Sequence, residues 1–337
     1  MKRFGFLFAI VLMSAAVLSF AMPNNVTAKE KKLILKYGHV ETKESPQQRF
    51  AEDLSDRLSK ATDGRILIEV YPANQLGSMS EMLDGIKAGT IEMGHHVHAS
   101  LAKFYPDIAV YSLPYIYRDM DHGLKASSPK YSPLVRQMND ELVKRAGMRV
   151  LGCFSRGYRN LSTNFPVYSL KDLKGRKIRG IPLQLWMSTI KGMGAIPVPV
   201  DIAEVSTALM TGLIEGQENP LQQQWQAKYY EVQKYIIMTE HIMDLLPVFI
   251  NEKVWQSLSD ADRASFEKCI DEAIAKETEL AKKAEIEFKD KFREKGMTII
   301  EEKDGLNKAE IRAAVVAQRE KDFPQWAEYV KQIEAVK

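Results

Sequence analysis

The sequence predicts an exported α/β protein built from two domains. Three observations carry this. The chain opens Met1-Lys2-Arg3, followed by an uncharged apolar run from Phe4 to about Phe20, the pattern of a secretory signal peptide. Strand-like and helix-like segments alternate before residue 150 and again after it, as in α/β domains with a largely parallel sheet. A charged amphipathic stretch free of Pro and Gly then runs between Ser259 and Gly296.

The leader is read as residues 1–28. Val26-Thr27-Ala28 offers small residues where cleavage needs them, so the mature chain is expected to start at Lys29, with Ala21 as a second candidate position. A membrane span needs roughly 17–25 apolar residues, and the polar stretch after Met22 favours a removed signal instead.

Leu33 to His39 alternates apolar and polar residues and reads as the first strand. Ser45-Pro46 opens a helix to about Thr62, Pro being acceptable in a first turn. Asp63-Gly64 turns the chain into a second strand, Arg65 to Tyr71. Ser80 is placed as the cap of a helix that ends at Gly89, and Ile91 to Val97 is the third strand.

The second unit begins with a strand at Met148 to Phe154. Short strands are expected at Lys177–Ile181, Ala195–Val200 and Tyr235–Met238, with helices near Leu183–Met193, Glu204–Thr211 and Leu221–Val232. The Ser259–Gly296 stretch, with Ser259 as N-cap and Gly296 as stop, makes a helix of about 36 residues, or ~54 Å. Such a length exceeds one small domain and suits a helix that braces both. The expected division is 29–156 with 245–285, and 157–244 with 286–337.

Composition narrows the function. Apolar residues make up 45% of the chain, enough for full cores. The formal charge is +3, and removing Lys2 and Arg3 leaves about +1, too little to draw the chain to nucleic acid or a membrane. Cys153 lies in an apolar run and Cys269 in a charged helix; both are read as small buried side chains rather than a disulfide. Nucleophile-elbow, phosphate-loop, dinucleotide and Cys-x-x-Cys motifs are missing, so no cofactor and no catalytic centre are expected.

Two arginines stand out. Arg159 lies in Arg156-Gly157-Tyr158-Arg159-Asn160 and Arg179 in Lys177-Ile178-Arg179, with Gly216-Gln217-Glu218-Asn219-Pro220 some forty residues on. A guanidinium is always charged and grips a carboxylate with two parallel hydrogen bonds. Two such forks and an amide make a clamp for an organic anion. By position alone, each Arg reads first as a surface ion-pair partner, and Asn219 as a turn residue before Pro; their placement after probable strands raises the site reading. Trp186 and Trp225 read first as packing residues.

His95-His96-Val97-His98 is the cluster to weigh for metal. His96 and His98 would share one strand face, but no third ligand is evident, so no metal is expected. His39, His96 and His98 instead sit near strand ends at the carboxyl edge of the sheet, where open α/β folds bind ligands.

Several segments, in order, resemble the solute-binding proteins of TRAP transporters, typified by the C4-dicarboxylate and sialic-acid binders. They are Tyr71-Pro72 with Gln75-Leu76-Gly77; Leu113-Pro114-Tyr115; Arg159 with Ser162-Thr163-Asn164; and Asp172-Leu173-Lys174-Gly175 with Lys177-Ile178-Arg179. Gly216-Gln217-Glu218-Asn219-Pro220, Tyr230-Glu231-Val232-Gln233-Lys234 and Thr239-Glu240-His241 complete the set. The resemblance covers essentially the whole mature chain. It implies a two-domain periplasmic-binding-protein-like (Venus-flytrap) fold, with a cleft between α/β domains and a long bracing helix. It implies a periplasmic protein that closes on a small organic anion and delivers it to small and large membrane subunits. Arg179 matches the arginine that pairs with the ligand carboxylate, Arg159 a second arginine near it, and Asn219 the orienting amide. Trp186 would narrow the pocket. The chain departs from the sialic-acid binders near Val97, where those carry an acidic contact to the sugar.

A ligand-sensing protein for a receptor would use the same fold. An exported hydrolase built on His96 or His98 with Glu92 is the other class, and it lacks a nucleophile or metal set. The anion's identity is not readable, and a monomer is expected.

Overall fold

The computed structural model describes residues 32–337, so the leader lies outside the described residues. Among them, no helix is long and apolar enough to cross a membrane.

Nine strands form one mixed sheet: β1 (Leu33–Gly38), β2 (Ile66–Tyr71), β3 (Met93–His95), β4 (Met148–Thr163), β5 (Lys177–Gly180), β6 (Ile196–Pro199), β7 (Gly216–Pro220), β8 (Tyr235–Asn251) and β9 (Thr298–Ile300). Their order is β2-β1-β3-β8-β4-β7-β5-β6, with β9 beside β8. β1 pairs parallel with β2 and β3, and β5 parallel with β6 and β7. Between these halves lie β4 and β8, antiparallel to each other and to β7 and β3, while the short β9 pairs parallel with β8. The sheet is therefore parallel within each half and antiparallel where the halves join.

Helix α1 (Pro46–Ala61) starts as the sequence predicts: the Ser45 side chain accepts from the Gln48 N–H, and Pro46 takes a first-turn position. Helix α2 (Met79–Ala88) is capped two residues earlier than expected. Ser78, not Ser80, accepts from the Glu81 N–H while the Glu81 carboxylate accepts from the Ser78 N–H, a reciprocal capping box. The long helix runs Asp260–Glu294 with Ser259 as cap, and it packs on α1 and β4.

The largest differences from expectation are β4 and β8. Each was legible only as a short apolar run, yet they span 16 and 17 residues. Both cross from one half to the other, and their polar middles hold charged residues that pair with each other rather than with water. β7 was read as a turn region after a strand, but Gly216–Pro220 is itself a strand buried throughout. Apolar packing forms clusters of unequal size. The largest surrounds Leu35, Leu54, Phe154 and Phe249 and also takes in Leu185 and Trp186; smaller ones surround Ile178, Ile190 and Ile237, and Ile236 and Phe292. Cys153 and Cys269 are free and buried.

Candidate functional site

A cleft of about 370 Å³ lies where the two halves face each other. Glu41, Asn74, Ser78 and His96 line it from the first half, and Arg179, Asp201, Asn219 and Gln223 from the second. Glu41 and His96 follow β1 and β3, and Asp201 follows β6, so the cleft lies beyond carboxyl strand ends.

Arg179 is placed by β5. It is 2% exposed, and its Nε donates to the Val200 carbonyl at 2.7 Å, which fixes the plane of the guanidinium. Its Nη1 has no partner, and among the described residues Arg179 forms no ion pair. Burial lowers its pKa to about 10; Glu218 opposes this and the neighbouring Arg159 adds to it. A buried cation left with an empty fork is costly unless an anion completes it.

Arg159 is also fully buried, but its fork is occupied. Nε and Nη2 donate to the Glu218 carboxylate at 2.5 and 2.7 Å, Nη2 also donates to Asn219 Oδ1 at 2.8 Å, and Nη1 donates to Asp244 at 3.2 Å. Arg156 continues the chain of charges: Nε donates to Asp244, and Nη1 to Glu41 at 2.9 Å. Glu41, Arg156, Asp244, Arg159 and Glu218 thus alternate in sign from one half to the other. Burial raises the Glu218 pKa, yet the Arg159 charge outweighs it and holds the carboxyl at about 2. Arg159 itself is lowered by burial, but Glu218 and Asp244 more than reverse this.

Arg156 and Arg159 are three residues apart, which on a regular strand puts them on opposite faces. A bulge removes the conflict. Ser155 pairs with Leu245 and Tyr158 with Met243, so β4 carries one residue more than β8. Gly157 takes φ +91° there. The extra Tyr158 N–H is met by Glu285 of the long helix at 2.7 Å. Both arginines then reach the one Asp244 carboxylate.

Of the residues singled out in the sequence, the structure brings Arg179, Asn219 and His96 to the cleft wall. Asn219 Nδ2 donates to Gln217 Oε1 at 2.6 Å. Half-buried His96 has an unpartnered Nδ1, and burial lowers its pKa to about 4. Arg159, His39, His98 and Trp186 are not on the wall. Arg159 lies behind Asn219. Trp186 is fully buried with its ring 5.5 Å from the Arg159 guanidinium, so it supports the arginine rather than narrowing the cleft. His98 opens a 3₁₀ turn instead of continuing β3, and packs on Tyr111 at 5.0 Å. His96 and His98 therefore share no strand face. His39 sits behind Glu41, stacked 5.0 Å from His95.

Sequence reasoning missed Glu41, Arg156, Glu218 and Asp244 as site residues. Gly157 between two arginines was the legible trace of Arg156; nothing in the local pattern marks Glu41 or Asp244.

The chain matches the family model described as bacterial extracellular solute-binding protein, family 7, over residues 37–322. A solute-binding protein of Roseobacter denitrificans is 31% identical over 303 residues, covering 90% of this chain and 92% of that one. The solved structure of a TRAP periplasmic solute-binding protein from that organism, with bound L-galactonate, has a TM-score of 0.80 and covers 89% of this chain and 99% of its own. One from Haemophilus influenzae with bound L-gulonate has a TM-score of 0.81 at 29% identity, covering 90% and 98%. A third, from Polaromonas and bound to D-erythronate, has a TM-score of 0.82 at 25% identity, covering 91% and 99%.

Proposed function

The chain belongs to the bacterial extracellular solute-binding proteins of family 7, the TRAP solute-binding proteins, and we propose that its cleft takes a polyhydroxylated monocarboxylate of the sugar-acid class. The observation that carries this is the Arg179 guanidinium, buried, anchored on Val200 and unpaired at Nη1. A carboxylate in that fork gains charge-assisted hydrogen bonds of roughly 1.5–3 kcal/mol each. The rest of the wall sets acceptors and hydroxyls, Glu41, Asn74, Ser78, Asp201 and Glu204, beside Arg156 and apolar side chains such as Met79 and Ile181. Acceptors suit ligand hydroxyls, and the Arg156 guanidinium is already held by Asp244 and Glu41. The L-galactonate, L-gulonate and D-erythronate carried by the similar structures have this chemistry.

In this reading, Arg179 holds the carboxylate, Asn219 and His96 contact the ligand, and Arg159 positions Asn219. Residues 32–156 with 245–285, and 157–244 with 286–337, move as two bodies that close on the ligand. The crossing strands β4 and β8 serve as the hinge and the long helix as the brace, which supports that division. The protein works as a monomer in the periplasm, after loss of residues 1–28, and hands its ligand to the membrane subunits of a TRAP transporter. It binds its ligand without transforming it.

A thermal-shift panel tests the ligand class. A ligand that binds only the folded form adds RT ln(1 + [L]/Kd), or about 2.7 kcal/mol at a hundredfold excess over Kd. Four- to six-carbon aldonates are expected to give the largest shifts. Larger shifts from succinate or malate than from any aldonate would overturn the assignment.

A further inference from the structure

Behind the cleft wall, three buried side chains aim donor atoms at one point. His39 Nδ1 is 3.3 Å from Glu41 Oε2, and His95 Nε2 is 3.1 Å from the same oxygen. All three donors lie within 4.8 Å of one another. His39 is 0%, His95 2% and Glu41 6% exposed.

The hydrogen bonds around the group fix the orientation of His39. Gln48 Nε2 donates to Glu52 at 2.8 Å, so Gln48 Oε1 is the atom that faces His39 Nε2, also at 2.8 Å. An amide oxygen only accepts, so His39 carries its proton on Nε2. In the neutral ring Nδ1 then presents a lone pair, and what it meets is a carboxylate oxygen. Arg156 Nη1 donates to the other oxygen of that carboxylate at 2.9 Å. Two lone pairs in contact repel each other unless a positive charge sits between them. A second proton on His39 is one such charge; a metal ion is the other.

The surroundings favour the ion. Each imidazole has its second nitrogen held by an oxygen: His39 Nε2 on Gln48 Oε1, and His95 Nδ1 on Tyr37 Oη at 2.7 Å. Outer partners of this kind orient metal-binding histidines. A tetrahedral ion with bonds of about 2.0–2.1 Å holds its donors roughly 3.3 Å apart, close to the two contacts to Glu41. The donors stand on a strand end, a strand and the loop between β1 and α1. We propose that His39, Glu41 and His95 form a binding site for a divalent transition-metal ion of the zinc class, at the back of the cleft. Two imidazoles and one carboxylate suit zinc, cobalt or nickel; calcium and magnesium prefer oxygen throughout. Glu41 also lines the cleft, so the proposed site adjoins it.

The test uses tag-free protein stripped with a chelator and titrated with Co²⁺ alone, then with Zn²⁺. The expected result is one equivalent of Co²⁺ with the visible bands of a tetrahedral site, displaced by Zn²⁺. His39→Ala and Glu41→Gln should abolish the bands while circular dichroism stays native. Gln48→Leu, which removes only an outer partner, should weaken Zn²⁺ binding ~10- to 100-fold. A wild-type protein that takes up no Co²⁺, or bands that persist in His39→Ala, overturns the proposal and leaves a protonated His39 against Glu41. No organic anion is present in the assay, so its failure says nothing against the sugar-acid reading.

Discussion

The Arg159 guanidinium is closed on the Glu218 carboxylate by two parallel hydrogen bonds, with both side chains at 0% exposure. The pair spans β4 and β7 and holds Asn219 through Arg159 Nη2. An arginine so committed acts as scaffold, in contrast with Arg179 on the cleft wall. Breaking a buried pair from one side leaves an uncompensated charge and costs about 3–5 kcal/mol. Glu218→Ala is therefore expected to lower the stability of the ligand-free protein by that order, read from urea unfolding. Arg159→Met/Glu218→Leu should recover only part of the loss, because Asp244 then keeps Arg156 alone. A Glu218→Ala protein as stable as the wild type would remove the scaffold role.

Gly157 is the second test of the scaffold. Its φ of +91° disfavours any other residue, and an added Cβ would lie 2.6 Å from Glu285 Oε1. Gly157→Ala is expected to cost about 1–3 kcal/mol and to shift the bulge that aims Arg156 and Arg159 together. Anion affinity should fall with stability, measured by calorimetry at a temperature where the variant is folded. Unchanged affinity would mean that the bulge does not position the site.

Much of the fold was legible because its signals are local. Ser45-Pro46, Asp63-Gly64 and the uninterrupted Asp260–Glu294 stretch announce a cap, a turn and a helix from neighbouring residues alone. The crossing strands were not legible past Phe154 and Met238. Their continuations, Ser155–Thr163 and Thr239–Asp244, carry Arg, His, Glu and Asp, which read as exposed. Arg156, Arg159, His241 and Asp244 are buried because each meets an opposite charge on another strand or loop, and that pairing is a tertiary fact. The site divides in the same way. Arg179 and Asn219 were found from sequence. Glu41 and Asp244 were not, since nothing near them in the chain states what they face. Ser78 displaced Ser80 as a cap because Glu81 answers it three residues on.

The long helix should make stability depend on pH. Glu277 is 3% exposed, and burial raises its pKa to about 8, only partly offset by Arg49 and Lys276. In the unfolded chain the same carboxyl titrates near its ordinary value of 4.5. A folded pKa above the unfolded one means that the native state holds its proton more tightly. The contribution is complete below pH about 4.5 and is lost as pH rises toward about 8. Glu277→Gln cannot lose a proton, so its melting temperature should fall less than that of the wild type between those limits. The difference at pH 8 should be on the order of 2–4 kcal/mol in favour of the variant. Parallel melting curves for the two proteins across this range would contradict a buried neutral Glu277.

Arg179 separates binding from stability most sharply. Its fork is empty at Nη1, so the folded protein bears the cost of a buried charge that only a ligand can complete. Arg179→Lys keeps the charge but loses the planar fork. It should cost about 2–4 kcal/mol of binding, or ~30- to 1000-fold in Kd. Arg179→Met removes the charge altogether. It should abolish carboxylate binding while leaving the ligand-free protein as stable as the wild type, or more stable by up to about 2 kcal/mol. That sign is opposite to the one expected for Glu218→Ala, although the Glu218 charge acts on Arg179. Calorimetry with the best aldonate and urea unfolding without it read the two effects separately. Arg179→Lys binding within threefold of wild type, or Arg179→Met unfolding several kcal/mol more easily, would show that the fork has a partner within the protein. The anion site would then have to be sought elsewhere along the cleft.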